Sequence, residues 1–290
     1  LYLVISYHRI EDNLALQVET SDEGGQQETK KLTTGEQYSA LTYNIGFGAY
    51  TPDFSFFMDG GKSSWAKSKD SVLDTVQGAG DLAASLNPDF AMIEEIDLDS
   101  TRSYHVNEYD ILRNCFTNDY YVFAQNYDSA FLFYPLNQPH GKSRSGLALF
   151  SKYPVTDSLR RSFPVSTSFS KFFDLDRCYS ISRVPTDNGK ELVIFLLHMS
   201  AYGNSDAIRE WLKSCGASKV VIHFDMDVLD PAEIIAAVGT DPDGMKMEQV
   251  IRVINDIAAE KEVVGLTVAE AMPRTAIRIK NMLNRLPLLK

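Results

Sequence analysis

A β-rich α/β sandwich followed by a βαβα segment is the fold class that this 290-residue sequence predicts. Up to about residue 212, short apolar strands follow one another with few helical stretches between them, which is the pattern of a mixed sheet rather than of alternating βα units. Beyond Cys215 the order changes to strand, acidic loop, helix, strand and helix, the signature of parallel strands joined by crossovers. Hydrophobic residues make up 44% of the chain, enough to fill a sizeable core. The change of pattern sets a seam near 208–218 and divides the chain into a lead-in segment, 1–37, a body, 38–212, and a C-terminal segment, 216–290.

Residues 11–38 are polar, and weak alternation through Leu14, Leu16 and Val18 predicts one strand before a loop. Leu41, Tyr43 and Ile45 then alternate with polar neighbours in a strand that ends in glycines, with Asn44 at its mouth. A helix is predicted over 65–86, because Val72, Leu73, Val76, Ala79, Leu82, Ala83 and Leu86 recur at three and four residues until Asn87 and Pro88 stop it. The run DFAMIEEID at 89–97 reads as a strand. Dense aromatics at 120–133, alternation through Leu147, Leu149 and Val155, the stretch 178–184 and an unbroken apolar run from 191 to His198 predict further sheet. A helix is expected at 206–212. In the last segment, strands are predicted at 219–224 and 263–270. The helix at 246–260 has its apolar face in Val250, Ile251, Val253, Ile254 and Ile257, and the one at 275–286 in Ile277, Ile279, Met282, Leu283 and Leu286.

The net charge of -11 argues against a protein that coats nucleic-acid backbone, since such binding needs Lys and Arg to neutralise phosphates. It leaves room for a small-molecule or phosphoester substrate held through a metal ion. Cys115, Cys178 and Cys215 show neither CxxC spacing nor an even count, so they read as small buried apolar residues. The opening LYLVIS is far shorter than the roughly 20 apolar residues that cross a bilayer. It reads either as a buried edge strand or as the remnant after a removed anchor helix. The second alternative would make the parent protein extracytoplasmic and membrane-anchored.

The densest group of candidate ligands is KVVIHFDMDVLDP at 219–231. A buried strand there delivers His223, Asp225, Asp227 and Asp230 to its C-terminal end, where open α/β sheets place their chemistry. In an extended strand Asp225 and Asp227 would share one side, roughly 6–7 Å apart. Such carboxylates suit magnesium, calcium or manganese. The alternative reading is a polar turn closed by Pro231.

Residues 38–210 resemble the endonuclease/exonuclease/phosphatase superfamily. LTYNIGFG, DFAMIEEID, SRSGLALFSKYPV and LVIFLLHMSAYG are similar to four of its motifs in order and spacing. The resemblance implies a four-layer α/β/β/α sandwich and a Mg2+-dependent phosphoesterase. Asn44 would help to hold metal and phosphate, Glu95 would bind the metal, and Glu94 would replace the family's usual glutamine. His198 would contact the scissile phosphate, with Arg177 as a further phosphate-binding candidate. HFDMD falls where the family has a strand ending Gly-Asp-Phe-Asn, which makes Asp225 the water-activating residue and sets Asp227 in place of the asparagine. No histidine follows His223, so the family's terminal catalytic histidine has no counterpart, which implies weak or absent turnover.

Residues 216–290 resemble the C-terminal part of the arginase/agmatinase ureohydrolase family. Asp225 and Asp227 would there be Mn2+ ligands, and Glu270 would receive a guanidinium group as a bidentate partner. That family's upstream histidine and Asp-Ala-His-x-Asp ligands are missing from this chain. The sequence thus reads as a chimera, with three functional expectations in order: a divalent-metal phosphoesterase, a manganese ureohydrolase, and a catalytically silent protein. The first expects Glu95 to come within coordination distance of the pair that begins at Asp225.

Overall fold

The structure is a computed structural model that describes residues 9–20, 30–57, 61–117, 119–163, 176–198, 212–213, 216, 218–236, 244–269 and 276–286. It is mixed α/β and rich in strands, as the sequence predicts, and it divides into two compact units. The first comprises residues 1–192 and 196–198, the second 193–195 and 199–290.

In the first unit β1 (Leu14–Ala15), β2 (Val18–Thr20), β3 (Ala40–Asn44) and β4 (Phe90–Asp97) are followed by β5 (Tyr120–Leu132) and β6 (Gly141–Ser151). Then come β7 (Asp157–Ser162), β8 (Cys178–Pro185) and β9 (Glu191–Leu197). They form a five-stranded sheet of order β2-β5-β6-β4-β3 and a four-stranded sheet of order β1-β7-β8-β9. Only β3 and β4 run parallel in the larger sheet, side by side at its edge. The single strand expected through Leu14 and Val18 is in fact two, because Leu14 pairs with Arg160 in one sheet while Val18 pairs with Val122 in the other.

Helices α1 (Lys69–Ser85) and α2 (Glu108–Cys115) cover one face of the larger sheet. Val72, Val76 and Ala83 of α1 and Leu112 of α2 pack with Ala91, Ile93, Ala148 and Phe150. Met92, Leu147 and Leu149 are equally buried but lie outside that cluster, so β4 and β6 are covered on both faces. This explains their near-continuous apolar runs. Helix α1 starts at Lys69, not at 65, because Ser68 is extended and its Oγ accepts the amide of Ser71 at 3.1 Å. Neither α2 nor β7 was expected. α2 is short and polar, capped by Asn107 through Asp110 N, and DSLRRS of β7 carries two arginines.

One of those arginines joins the two sheets. Arg160 is 1% exposed, and its Nε donates to Gln125 O of β5 at 2.7 Å. Nη1 donates to Glu11 O at 2.9 Å and Ser162 Oγ at 2.7 Å, and Nη2 to Asp176 O at 2.8 Å. A charged fork takes the place of apolar packing here, and it supplies the donor for the buried Asp176 carbonyl.

The second unit contains β10 (Lys219–Asp225), α3 (Met247–Glu260), β11 (Glu262–Ala269) and α4 (Ala276–Leu283), the expected βαβα order. β10 and β11 pair in parallel from Lys219↔Glu262 to Asp225↔Ala269. Val220, Ile222 and Phe224 pack with Val250, Ile251 and Ile254 of α3 and with Ile279 and Met282 of α4. Of the helix expected at 206–212 only Leu212 lies among the described residues. Cys115 and Cys178 are free thiols, half-buried and buried respectively. Among the described residues no helix is long and apolar enough to cross a membrane.

Replacing Arg160 by Met should strip three backbone carbonyls, one of them buried, of their donor and cost about 1–3 kcal/mol. Urea unfolding should show a lower midpoint with an unchanged slope. A loss near zero would mean that the sheets do not depend on this fork.

Candidate active site at a strand bulge

Strands β3 and β4 run in register, with Asn44 beside Glu94, and Ile45 N donates to Glu94 O at 3.2 Å. On its other edge β4 pairs regularly with β6 as far as Ile93↔Ala148, and pairing resumes at Ile96↔Gly146. Two residues, Glu94 and Glu95, therefore face one, Leu147, which is a β-bulge. Glu95 adopts φ 55°, a left-handed conformation that costs a residue with a Cβ roughly 1–2 kcal/mol. The bulge separates the two carboxylates: Glu94 is 1% exposed, whereas the Glu95 side chain keeps 28% of its surface open.

Two side chains, His198 and Asn44, hydrogen-bond Glu95. His198 follows directly on β9, and its Nε2 lies 3.2 Å from Glu95 Oε1. The guanidinium of Arg177 hydrogen-bonds Nδ1 of the same ring. Arginine can only donate, so Nδ1 carries the lone pair and Nε2 carries the proton given to Glu95. Asn44 hydrogen-bonds Glu95 as well. Its Oδ1 accepts the amide of Gly46 at 2.9 Å, which turns the NH2 group toward the carboxylate. Burial alone would raise the pKa of Glu95; the hydrogen bond from His198, the nearby Arg102 guanidinium and the Asn44 amide outweigh it and lower it.

Behind Glu95 lies a buried ionic group. Asp97, fully buried, accepts both arms of Arg102, Nε at 2.9 Å and Nη2 at 2.8 Å, and the hydroxyl of Ser103 at 2.8 Å. The amide of Asp97 donates to Glu108 Oε2 at 2.9 Å. Burial and the adjacent Asp97 charge raise the Glu108 pKa well above the ordinary carboxylate range. Arg102 also lies 3.7 Å above the ring of Phe47. That ring belongs to a left-handed turn, Gly46–Gly48, directly after β3. The glycines are required there: a Cβ on Gly46 would fall 2.4 Å from Tyr50, and one on Gly48 2.8 Å from Val76. The sequence singles out neither Asp97 nor Arg102 as a site residue. The only signal available was an acidic residue ending an otherwise apolar strand.

The second unit carries the other candidates. β10 ends at Asp225, whose Oδ1 accepts the amide of Asp227 at 3.1 Å and so caps a 3-10 turn, Met226–Val228. The expected geometry, with both residues on one side of an extended strand, is therefore corrected: the chain has already turned at Asp227. Asp230 Oδ1 likewise accepts Ala232 N at 2.9 Å. His223 Nδ1 lies 2.9 Å from Thr267 Oγ1 on β11. Glu270 lies outside the described residues. Asn44, Glu95, Arg177 and His198 thus come together in the first unit, while Asp225 and Asp227 belong to the second.

The endonuclease/exonuclease/phosphatase family model matches residues 41–213, more than half of the chain. The chain belongs to that family. A model of the arginase family matches 187–283, overlapping the first match at its end. Among solved structures, an endonuclease/exonuclease/phosphatase from Beutenbergia cavernae is similar over 76% of this chain and 53% of its own, with 13% identity and a TM-score of 0.46. A family protein from Leptotrichia buccalis gives 63% and 64% coverage, 12% identity and a TM-score of 0.39. ANGEL2, a 2',3'-cyclic phosphatase, gives 57% and 41%, 11% identity and a TM-score of 0.38. The chain spans about half the length of the first of these structures. No curated protein matches it.

Members of both matched families typically depend on divalent metal ions. The Glu95 site fits such an ion: its carboxylate is held ionised, keeps part of its surface open, and offers the hard oxygen that magnesium-class cations prefer. A left-handed backbone at Glu95 makes a direct prediction. Glu95→Gly should be about 1 kcal/mol more stable than Glu95→Ala in urea unfolding, the reverse of the usual order in a strand. An alanine variant that is the more stable of the two would exclude the bulge geometry.

Proposed function

We propose that this protein is a divalent-metal-dependent phosphoesterase acting on a phosphodiester or phosphomonoester. The observation that carries the reading is the ionised Glu95 carboxylate, presented by the bulge between Asn44 and His198. Glu95, with Asn44 beside it, would hold the ion. When bound, a magnesium-class ion supplies Lewis-acid polarisation of a phosphoryl oxygen.

The remaining steps belong to the chain itself. His198 presents an Nε2 proton where negative charge develops on a phosphoryl oxygen, and exchanges its Glu95 partner for the substrate. Arg177 holds that tautomer from the far side of the ring, and adds positive charge for an anionic substrate. Asp225 as the residue that orients the attacking water, and Asp227 as a further ligand, rest on the family resemblance alone. Mg2+ is the favoured ion on the same grounds.

A second reading, a Mn2+-dependent ureohydrolase, is favoured by the match of 187–283 to the arginase family. It would use Asp225 and Asp227 as ligands and Glu270 for the guanidinium of the substrate. The absence of that family's upstream ligands from this chain places it second.

Hydrolysis of bis(4-nitrophenyl) phosphate should appear with Mg2+ or Mn2+ and vanish on chelation. Glu95→Gln should abolish it, and His198→Ala should lower kcat by about 10²–10³. Absence of metal-dependent hydrolysis of this ester and of 4-nitrophenyl phosphate, with urea released from arginine or agmatine under Mn2+, would transfer the assignment to the second reading.

A further inference from the structure

We infer that Arg102 is a positioning residue for the metal centre, holding the two strand ends that carry Asn44 and Glu95 at a fixed separation. The inference rests on the reading of Glu95 as a metal ligand. It goes beyond that reading by assigning a role to a buried cation that touches neither metal nor substrate.

The geometry is as follows. Asn44 ends β3, and the chain then enters the left-handed turn that carries Phe47. Glu95 occupies the bulge of β4, and Asp97 ends the same strand two residues later. Arg102 grips both. Its flat face lies 3.7 Å from the centre of the Phe47 ring, and two of its nitrogens close a side-on fork on Asp97. The guanidinium is thus a clamp between the segment just after Asn44 and the segment just after Glu95.

The clamp is itself braced. Ser103 Oγ donates to Asp97 Oδ2, and the amide of Asp97 is held by Glu108 Oε2 at the start of α2. Phe47 is 1% exposed, Asp97 is fully buried and the Arg102 side chain is 12% exposed, so none of the three can adjust without moving its neighbours. A left-handed glutamate persists only where the surroundings over-determine it. Asp97 pins the strand on the far side of the bulge, and Ile45 N on Glu94 O pins it on the near side. The positive charge of Arg102 also faces the Glu95 carboxylate and reinforces its anionic form. A lysine could supply the charge but neither the fork nor the flat face.

The test is divalent-ion calorimetry with Mg2+ and Mn2+ on the whole chain, comparing the parent with Glu95→Gln, Arg102→Lys and the double variant Arg102→Gln/Asp97→Asn. The double variant removes both buried charges together, which avoids stranding one of them. Thermal melting of each variant establishes folding. Glu95→Gln should abolish binding. The double variant should bind roughly 10- to 100-fold more weakly while still melting cooperatively, as loss of a group behind a ligand does. Arg102→Lys should fall between the double variant and the parent. Parental affinity in Arg102→Lys or in the double variant, with binding lost in Glu95→Gln, would overturn the positioning role while leaving Glu95 as the ligand. Parental affinity in Glu95→Gln would remove the metal reading and this inference with it. If the double variant does not fold, Arg102→Lys alone decides.

Discussion

The bulge at Glu94 and Glu95 is the constraint on which the site depends. In a regular strand residues 93, 95 and 97 would share a face, and Ile93 belongs to the core beneath the helices. Glu95 would then be driven into that core. By inserting one residue the bulge lets Ile96 take the next core position beside Ile93, both fully buried. The Glu95 carboxylate is released to the strand ends, where Asn44 and His198 meet it. The cost is a left-handed glutamate, and the gain is an anion that is preorganised rather than recruited.

Buried charge sustains this arrangement in two places. Between the sheets, Arg160 serves backbone carbonyls from three separated segments. Beneath the site, Asp97, Arg102 and Glu108 form a buried group in which the guanidinium closes a fork on Asp97 and the amide of Asp97 donates to Glu108. Breaking a buried pair is far more costly than forming it is favourable, so both groups act chiefly to specify geometry. Their position next to strained or paired backbone agrees with that role.

Much of the fold was legible because β4 and β6 are buried on both faces and carry dense apolar stretches. An apolar run also marks β9, and the helical period of α1, α3 and α4 is clear. β7 was hidden because its central buried residue is an arginine, and α2 because eight largely polar residues give little periodic signal. At the site, Asn44, Glu95 and His198 were found through motif resemblance. The bulge was not, since a glutamate gives no sign of a positive φ as a glycine would. Arg102 escaped for a related reason: its partners, Phe47 and Asp97, become neighbours only once β3 and β4 are paired. In the second unit the carboxylate-rich motif was legible, but the turn that Asp225 caps was not separable from an extended strand.

Anomalous diffraction from crystals of the protein soaked in Mn2+ addresses the central claim most directly. The expected result is a manganese peak on the carboxylate of Glu95, beside Asn44, with Glu95 in the left-handed conformation and two residues of β4 opposite one of β6. A map with no peak at Glu95, or with β4 paired regularly through that position, would contradict the account.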